Sequence, residues 1–415
     1  MKQKLGVLSL GCPRNLVDAE GIAGRLRAKG YRLAENVEEA EVVLINTCAF
    51  IEDAKRESID AILDLIELKK EGRLKKIIVC GCLAQRYKDL HRELPEVDAF
   101  VGSPRLDRGT ERFPLTPRHY AYLKICEGCA NNCSYCVIPR IKGRLVSLDE
   151  RAIIRKVRGF NREKTAELNI IGQDITAFGL DVSGRSMLSG LLGKILRNAP
   201  DIGWIRLLYL NPERIDDELL GLIRDNEQVC KYVDLPIQHI NDRILKLMKR
   251  GFSRKRIISL VEKIRKAIPG VCLRTSLIVG FPSEGEKEFR ELFDFVRQAR
   301  FERLGVFTYS REEGTPAYNL KGQVSSKLKE ERLAAIMQEQ QKISAELNAG
   351  MLNRKVRVLI EEKQDGSYVG RSQSDAPEVD GVVYVHSGRP LKIGGFTDVN
   401  ITDTLEYDLV GETVR

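Results

Sequence analysis

Apolar and polar positions follow two rhythms along this chain. In the first 117 residues, short apolar runs stand at Leu5 to Leu10, Glu41 to Ile45 and Lys76 to Val79. Longer stretches with helical spacing separate them. One of these, Ala54 to Lys70, places Ile59, Ile62, Leu63 and Ile66 on a single face. Strand–helix alternation of this kind predicts a parallel sheet. Residues 104–118 are rich in Pro, Arg and Thr and read as a linker. The strand–helix rhythm resumes from Tyr120 to about Leu320, with candidate strands at Leu168 to Ile171, Trp204 to Tyr209, Tyr232 to Leu235, Leu273 to Ile278 and Arg303 to Phe307. A polar or Gly/Pro loop and then a helix follow each, which predicts a partial βα (TIM-like) barrel. Residues 326–348 read as a polar helix punctuated by Leu and Ile, capped by Ser325 or Ser326 and stopped by Gly350. From 351 onward the runs shorten to Val356 to Ile360, Val382 to Val385 and Asp398 to Ile401, separated by Gly and Asp. That pattern predicts a small antiparallel, OB-like β-barrel. The expected fold is α/β, in three domains at 1–117, 118–348 and 351–415.

In parallel sheets ligands gather at the carboxyl ends of strands. Cys12, Cys48 and Cys82 each follow a predicted strand of the first sheet. A single cysteine in such a place is usually a small buried apolar residue, but three at equivalent positions converge on one sheet edge. Ten cysteines in 415 residues are not a secreted disulfide framework. Grouped in local motifs, they point to metal or redox chemistry in the cytosol. No apolar run approaches the length of a membrane span. Met1 to Lys4 with the run after them is too short for a signal peptide and reads as the first strand.

A second triad, Cys129, Cys133 and Cys136, has the spacing C-x3-C-x2-C, with Tyr135 just before the last ligand. Three thiolates hold three irons of a cubane cluster, and complete protein ligation takes four. One iron is then left open. Structural zinc takes four ligands in paired motifs, and adding Cys126 gives an awkward frame for one tetrahedral ion. The spacing resembles the radical S-adenosylmethionine (SAM) superfamily. This resemblance implies that the open iron binds SAM, that the reduced 4Fe–4S cluster cleaves it to a 5′-deoxyadenosyl radical, and that Tyr135 lies near the adenine.

The resemblance extends along the chain. Gly11-Cys12-Pro13-Arg14-Asn15, Asn46-Thr47-Cys48-Ala49-Phe50, Gly81-Cys82-Leu83-Ala84-Gln85-Arg86, Gly172-Gln173-Asp174, Leu235-Pro236-Ile237-Gln238-His239, Val279-Gly280-Phe281-Pro282 and Tyr309-Ser310-Arg311-Glu312-Glu313-Gly314-Thr315 resemble, in order, the motifs of the radical SAM methylthiotransferase family. The β-rich end resembles its TRAM module. The family implies a second 4Fe–4S cluster on Cys12, Cys48 and Cys82 that presents sulfur. It also implies SAM used both as methyl donor and as radical source, a low-potential electron donor such as flavodoxin or ferredoxin, and a sulfur source. Cys80 and Cys126 are read as non-ligands, and Cys230 and Cys272 as core.

The family divides between enzymes acting on adenosine in tRNA and one acting on an aspartate β-carbon of the twelfth small-subunit ribosomal protein. Cys12 to Asp18 resembles the Cys-Pro-Lys-Asn-x-Val-Asp pattern of the ribosomal-protein branch, with Arg14 in place of Lys. Asp375-Ala376-Pro377-Glu378-Val379-Asp380-Gly381 resembles that branch too, while Ser283 departs from a usual Gly and Gln373 from a usual aromatic. The whole chain carries +9, but residues 351–415 hold 8 Lys and Arg against 11 Asp and Glu, a net −3. An acidic module is a poor phosphate clamp and suits a basic ribosomal protein or the ribosome better. The alternatives are the same chemistry on tRNA and a non-catalytic iron–sulfur protein that binds RNA or ribosomes. For SAM contacts the candidates are Gln173 and Asp174, which a loop cap explains equally well, and Arg206 toward the SAM carboxylate, with a rim ion pair as the rival reading. Gly280 and Phe281 are expected to give backbone contacts to adenine.

Overall fold

The computed structural model describes residues 3–34, 36–103 and 112–414. Of the predicted linker, 104–111 lie outside them. The first sheet has the order β2-β1-β3-β4-β5, with β1 Lys4–Ser9, β2 Arg32–Leu33, β3 Val42–Thr47, β4 Lys76–Gly81 and β5 Ala99–Val101. Every pairing in it is parallel. Helices cover both faces, so all six residues of the central β3 are buried. The three long strands follow the apolar runs. β2 and β5, two and three residues long, are too short to leave a pattern.

The middle of the chain forms an open parallel barrel of six strands. β6 Tyr120–Lys124, β9 Glu167–Ile171 and β10 Trp204–Leu207 form one sheet; β11 Tyr232–Asp234, β12 Cys272–Val279 and β13 Arg303–Thr308 form the other. A short hairpin, β7 Cys126–Glu127 with β8 Val146–Ser147, lies between β6 and β9. Leu210 N donates to Asp234 O at 3.0 Å and closes the gap between the sheets. Outward residues such as Leu168, Ile205, Val233, Leu273 and Leu277 pack under the helices in the main core. Residues one step away, including Glu167, Arg206, Tyr232 and Arg274, have the opposite strand parity and face inward.

Residues beyond 351 close into the barrel β14-β15-β16-β18-β17, with β14 Lys355–Gln364, β15 Ser367–Ser372, β16 Val383–His386, β17 Phe396–Thr404 and β18 Leu409–Thr413. The helix leading into it, Ser326–Ala349, is capped by Ser325 Oγ, which accepts from Leu328 N at 3.3 Å. Among the described residues no helix is long and apolar enough to cross a membrane.

The terminal barrel is anchored to the inward face of the large one. Arg371 Nη2 reaches Glu167 Oε2 at 2.5 Å and Glu361 Oε1 at 2.7 Å. Arg303 pairs with Asp375 at 2.5 Å, and Tyr232 Oη donates to Asp380 at 2.6 Å. Trp204, the chain's single tryptophan, meets Phe396 edge-on at 4.8 Å between ring centres. The module's acidity is thus partly spent inside the molecule. With Glu361, Asp375, Asp380 and Arg371 engaged, 8 acidic residues stand against 7 basic ones in the rest of 351–415, so little of the net negative charge is left unspent. Net charge alone therefore gives less support to a basic partner than the residue count does.

Candidate active site at the domain seam

Cys12, Cys48 and Cys82 sit where backbone geometry is tight. Gly11 (φ +86°) and Gly81 (φ +94°) hold left-handed conformations that favour glycine. A Cβ at Gly11 would lie 3.0 Å from Cys48 Sγ, so the loop carrying Cys12 passes directly against Cys48. Asn15 completes the cradle. Its Nδ2 donates to Leu10 O and Thr47 O, and its Oδ1 lies 3.5 Å from Cys82 Sγ. The three loops after β1, β3 and β4 are thereby joined.

Burial pushes the Cys82 thiol up to about 12, opposed by Lys142 and reinforced by Cys48 and Cys12. Cys48 is raised as well, again chiefly by burial. At Cys12 burial acts the same way, but the Arg14 guanidinium and the Asn15 and Arg14 backbone donors outweigh it, and the thiol is lowered. Cys80 faces the other side of β4, among Leu5, Val42 and Leu44.

The second triad lies across the seam on the loop after β7. Cys129, Cys133 and Cys136 are all partly exposed. Ser134 anchors their loop, its N donating to Met248 O at 3.0 Å and its Oγ to Leu247 O at 2.7 Å. Arg250 Nη1 stands 3.5 Å from Cys133 Sγ, with Nη2 on Pro236 O at 2.8 Å. Tyr135 packs on a cluster containing Phe281, Tyr309 and Met248. Burial pushes Cys136 up to about 12.

Soft thiols in threes suit iron–sulfur clusters. Cys126 is no member of either set. It is buried in the barrel core, and its Sγ contacts Asp174 O at 3.8 Å beneath Gly172.

The other candidates are placed unequally. Asp174 is buried and fully occupied: Asn131 Nδ2 and Arg214 Nη1 both donate to Oδ2 at 2.7 Å, Asn211 to the same oxygen at 3.2 Å, and Thr176 to Oδ1 at 2.5 Å. Arg214 also bonds Asn131 Oδ1 at 2.9 Å. Asp174 therefore holds the loop between Cys129 and Cys133 instead of facing a cofactor. Its neighbour Gln173 is partly exposed on the same loop.

Arg206 is a correction. It is fully buried, with Nε on Glu167 at 2.8 Å, Nη1 on Gln373 O at 2.7 Å and its plane over Tyr232. It fastens the terminal barrel and has no fork left for a SAM carboxylate. At Gly280 and Phe281 both N–H groups are taken by the Glu284 carboxylate, at 3.0 and 3.3 Å, and the Phe281 ring is buried. Phe281 O in turn accepts from Glu284 N at 2.9 Å, so the backbone of this pair is largely committed within its own loop.

Three contacts draw the triads' loops together. Arg86 of the Cys82 motif pairs with Glu312 at 2.7 Å, both nearly buried. Asp18 of the helix Pro13–Ala28 pairs with Lys124 and with Lys142, the latter at 2.9 Å. Arg14 Nη1 donates to Gly172 O at 3.0 Å, and its plane lies 4.3 Å over the Tyr209 ring. Arg86 and Glu312 both lie in quoted motifs, so that pairing was within reach of the sequence. Arg214 and Arg250 lie outside any motif and carry no sequence signal.

Three family models match stretches of the chain. The model described as "Uncharacterized protein family UPF0004" matches residues 4–102, the radical SAM superfamily model 123–296 and the TRAM domain model 354–414. The ribosomal protein uS12 methylthiotransferase RimO of Geotalea uraniireducens is 44% identical over 445 residues, covering 100% of this chain and 99% of that protein. That of Clostridioides difficile is 44% identical over 439 residues, covering 99% of each. Among solved structures, the radical S-adenosylmethionine methyltransferase TsrM from Kitasatospora setae aligns with a TM-score of 0.55 at 14% identity. It covers 91% of this chain and 82% of that one, a likeness of fold alone. With two cysteine triads on one seam and full-length identity at this level, the chain belongs to the RimO family of radical SAM methylthiotransferases.

Proposed function

We propose that this chain adds a methylthio group to the β-carbon of an aspartate in ribosomal protein uS12. The observation that carries the reading is the pair of triads on facing loops of one seam, with Arg14 of the first domain lying on Gly172 and Tyr209 of the second. When bound, the clusters and SAM supply the hydrogen-abstracting radical, the sulfur and the methyl group. Cys129, Cys133 and Cys136 would hold the SAM-binding cluster, and Cys12, Cys48 and Cys82 the auxiliary one.

The chain's own residues position and shield. Asp174, Asn131 and Arg214 fix the first ligand loop, while Asn15 ties the three loops of the second. The buried ion pairs Arg86–Glu312 and Asp18–Lys142 tie the first domain to the barrel across the seam. Such chemistry draws on a low-potential electron donor of the flavodoxin or ferredoxin class and on a sulfur source.

The test offers uS12 and tRNA side by side to reconstituted enzyme with SAM, sulfide and reductant. Methylthio mass gain on uS12 supports the reading. Gain on tRNA alone transfers the activity to the adenosine substrate, and gain on neither leaves a binding protein.

A further inference from the structure

Exposed cations on several helices of this molecule are answered by carboxylates one turn away. On Glu52–Lys70, Lys55 pairs with Glu52 and Lys70 with Glu67; on Ser326–Ala349, Lys342 pairs with Glu339. The helix Glu150–Arg162 breaks this pattern. Ala152, Ile153 and Val157 bury one side of it, while Arg151, Arg155, Arg158 and Arg162 stand exposed on the other. Spaced four, three and four residues apart, they share one face and form a stripe about 16 Å long. Arg158 Nε donates to the neutral Asn198 Oδ1 at 2.9 Å. Among the described residues no carboxylate stands at ion-pair distance from any of the four.

The nearby acids are engaged elsewhere. Glu150 pairs with Lys194, Asp149 caps the helix by accepting from Ala152 N, and Asp201 accepts from Asn161 Nδ2. The adjoining helix Leu188–Asn198 adds an exposed Arg197 and carries no acidic residue. Such a stripe weakens its own helix. Like charges three and four apart repel, and Arg151 in the first turn opposes the helix dipole. A face that only met water would mix the two signs, as Glu52–Lys70 does. All four cations are arginine, whose planar fork matches a phosphate in paired hydrogen bonds. The stripe also starts close to the chemistry. Its helix follows β8, whose Ser147 pairs with Cys126 just ahead of the Cys129 triad, and then returns the chain to the start of β9. Arg151 therefore marks the end nearest that cysteine loop.

We propose that Arg151, Arg155, Arg158 and Arg162 dock the phosphate backbone of small-subunit ribosomal RNA, so that the enzyme meets uS12 while that protein lies on RNA. The inference rests on the uS12 reading above. Backbone contacts of this kind place a protein on RNA without reading its sequence. Their strength comes from neutralised phosphates, which makes it steeply dependent on salt.

The test measures binding of the full-length holoenzyme to small ribosomal subunits over a range of salt. Combining Arg155→Gln, Arg158→Gln and Arg162→Gln should weaken that binding about ten- to a hundredfold and lower the slope of log Kd against log salt by about two to three. Methylthiolation of free uS12 should be unchanged, because none of the three touches either triad. The control combines Lys255→Gln, Arg256→Gln and Lys266→Gln on the helix Arg254–Ala267, where Glu262 shares the face of Lys255 and Lys266. It removes the same charge and should leave subunit binding near the wild-type value. Unchanged affinity and slope in the stripe variant overturn the proposal. An equal loss in the control overturns it too, by reducing the effect to net charge, as does a loss seen with tRNA and not with subunits. The functional reading fails separately, through absence of wild-type methylthiolation of uS12, and subunit binding is scored without it.

Discussion

Asn131 Nδ2 donates to Asp174 Oδ2 at 2.7 Å, joining the loop of one cysteine triad to the loop after a barrel strand. Arg214 closes the triangle by bonding both residues. Asp174→Ala leaves Arg214 without its carboxylate and the ligand loop without its brace. The expected cost is about 3 kcal/mol in unfolding free energy, typical of breaking a largely buried pair. Chelator should also strip iron faster from the Cys129 site than from the Cys12 site. Equal release rates from the two sites would show that the triangle does not hold the loop.

Arg250 places a cationic donor 3.5 Å from Cys133 Sγ. Hydrogen bonds and positive charge at cluster sulfurs favour the reduced state. Arg250→Met should lower the midpoint potential of that cluster by on the order of tens of millivolts, with Arg250→Lys between. A redox titration followed by electron paramagnetic resonance reads this directly. An unchanged potential would confine Arg250 to packing on Phe252.

The terminal barrel should loosen in acid. Burial alone would raise the Glu361 carboxyl, but hydrogen bonds from His119 and Arg371 outweigh it and hold it at about 2, against an ordinary 4.5. The folded state thus keeps this carboxylate ionised where the unfolded chain protonates. Its contribution is complete above about pH 4.5 and is lost as pH falls toward about 2. Trp204, packed on Phe396 at the interface, reports the change through its fluorescence. Glu361→Gln should flatten that acid transition; an identical transition in the variant would place its origin elsewhere.

Arg371 bridges Glu167 and Glu361 with a nearly buried side chain. Arg371→Met should destabilise by about 3 kcal/mol, because buried Glu167 keeps only Arg206 and Glu361 keeps only His119 once the shared guanidinium is gone. In urea the Trp204 signal should then shift to lower concentration ahead of the backbone signal. Coincident transitions would mean that the two barrels unfold as one unit.

The chemistry was legible where it is local. The radical triad lies within eight residues, and its spacing alone suggests an iron–sulfur site. Cys12, Cys48 and Cys82 were readable because strand ends in a parallel sheet share one edge. What sequence could not supply is pairing at long range. Arg206 lies at a strand position that fits a cofactor contact as well as an anchor, and its partner Gln373 is 167 positions away. Asp174, on a loop after a strand, fitted a cofactor contact and a loop cap equally well, and Asn131 and Arg214 claim it. Asp375 and Asp380 counted toward an acidic surface, although they face barrel arginines and a tyrosine. Periodicity says which face a side chain takes; it does not say which charge waits there.

Two separate three-cysteine sites on one seam are the centre of this account, and iron content tests them most directly. Anaerobically reconstituted wild type should hold about eight irons and eight sulfides per chain, as two cubane clusters require. Replacing Cys12, Cys48 and Cys82 together, or Cys129, Cys133 and Cys136 together, should each leave about four. Four irons in the wild type, or no loss when the first triad is replaced, would contradict it.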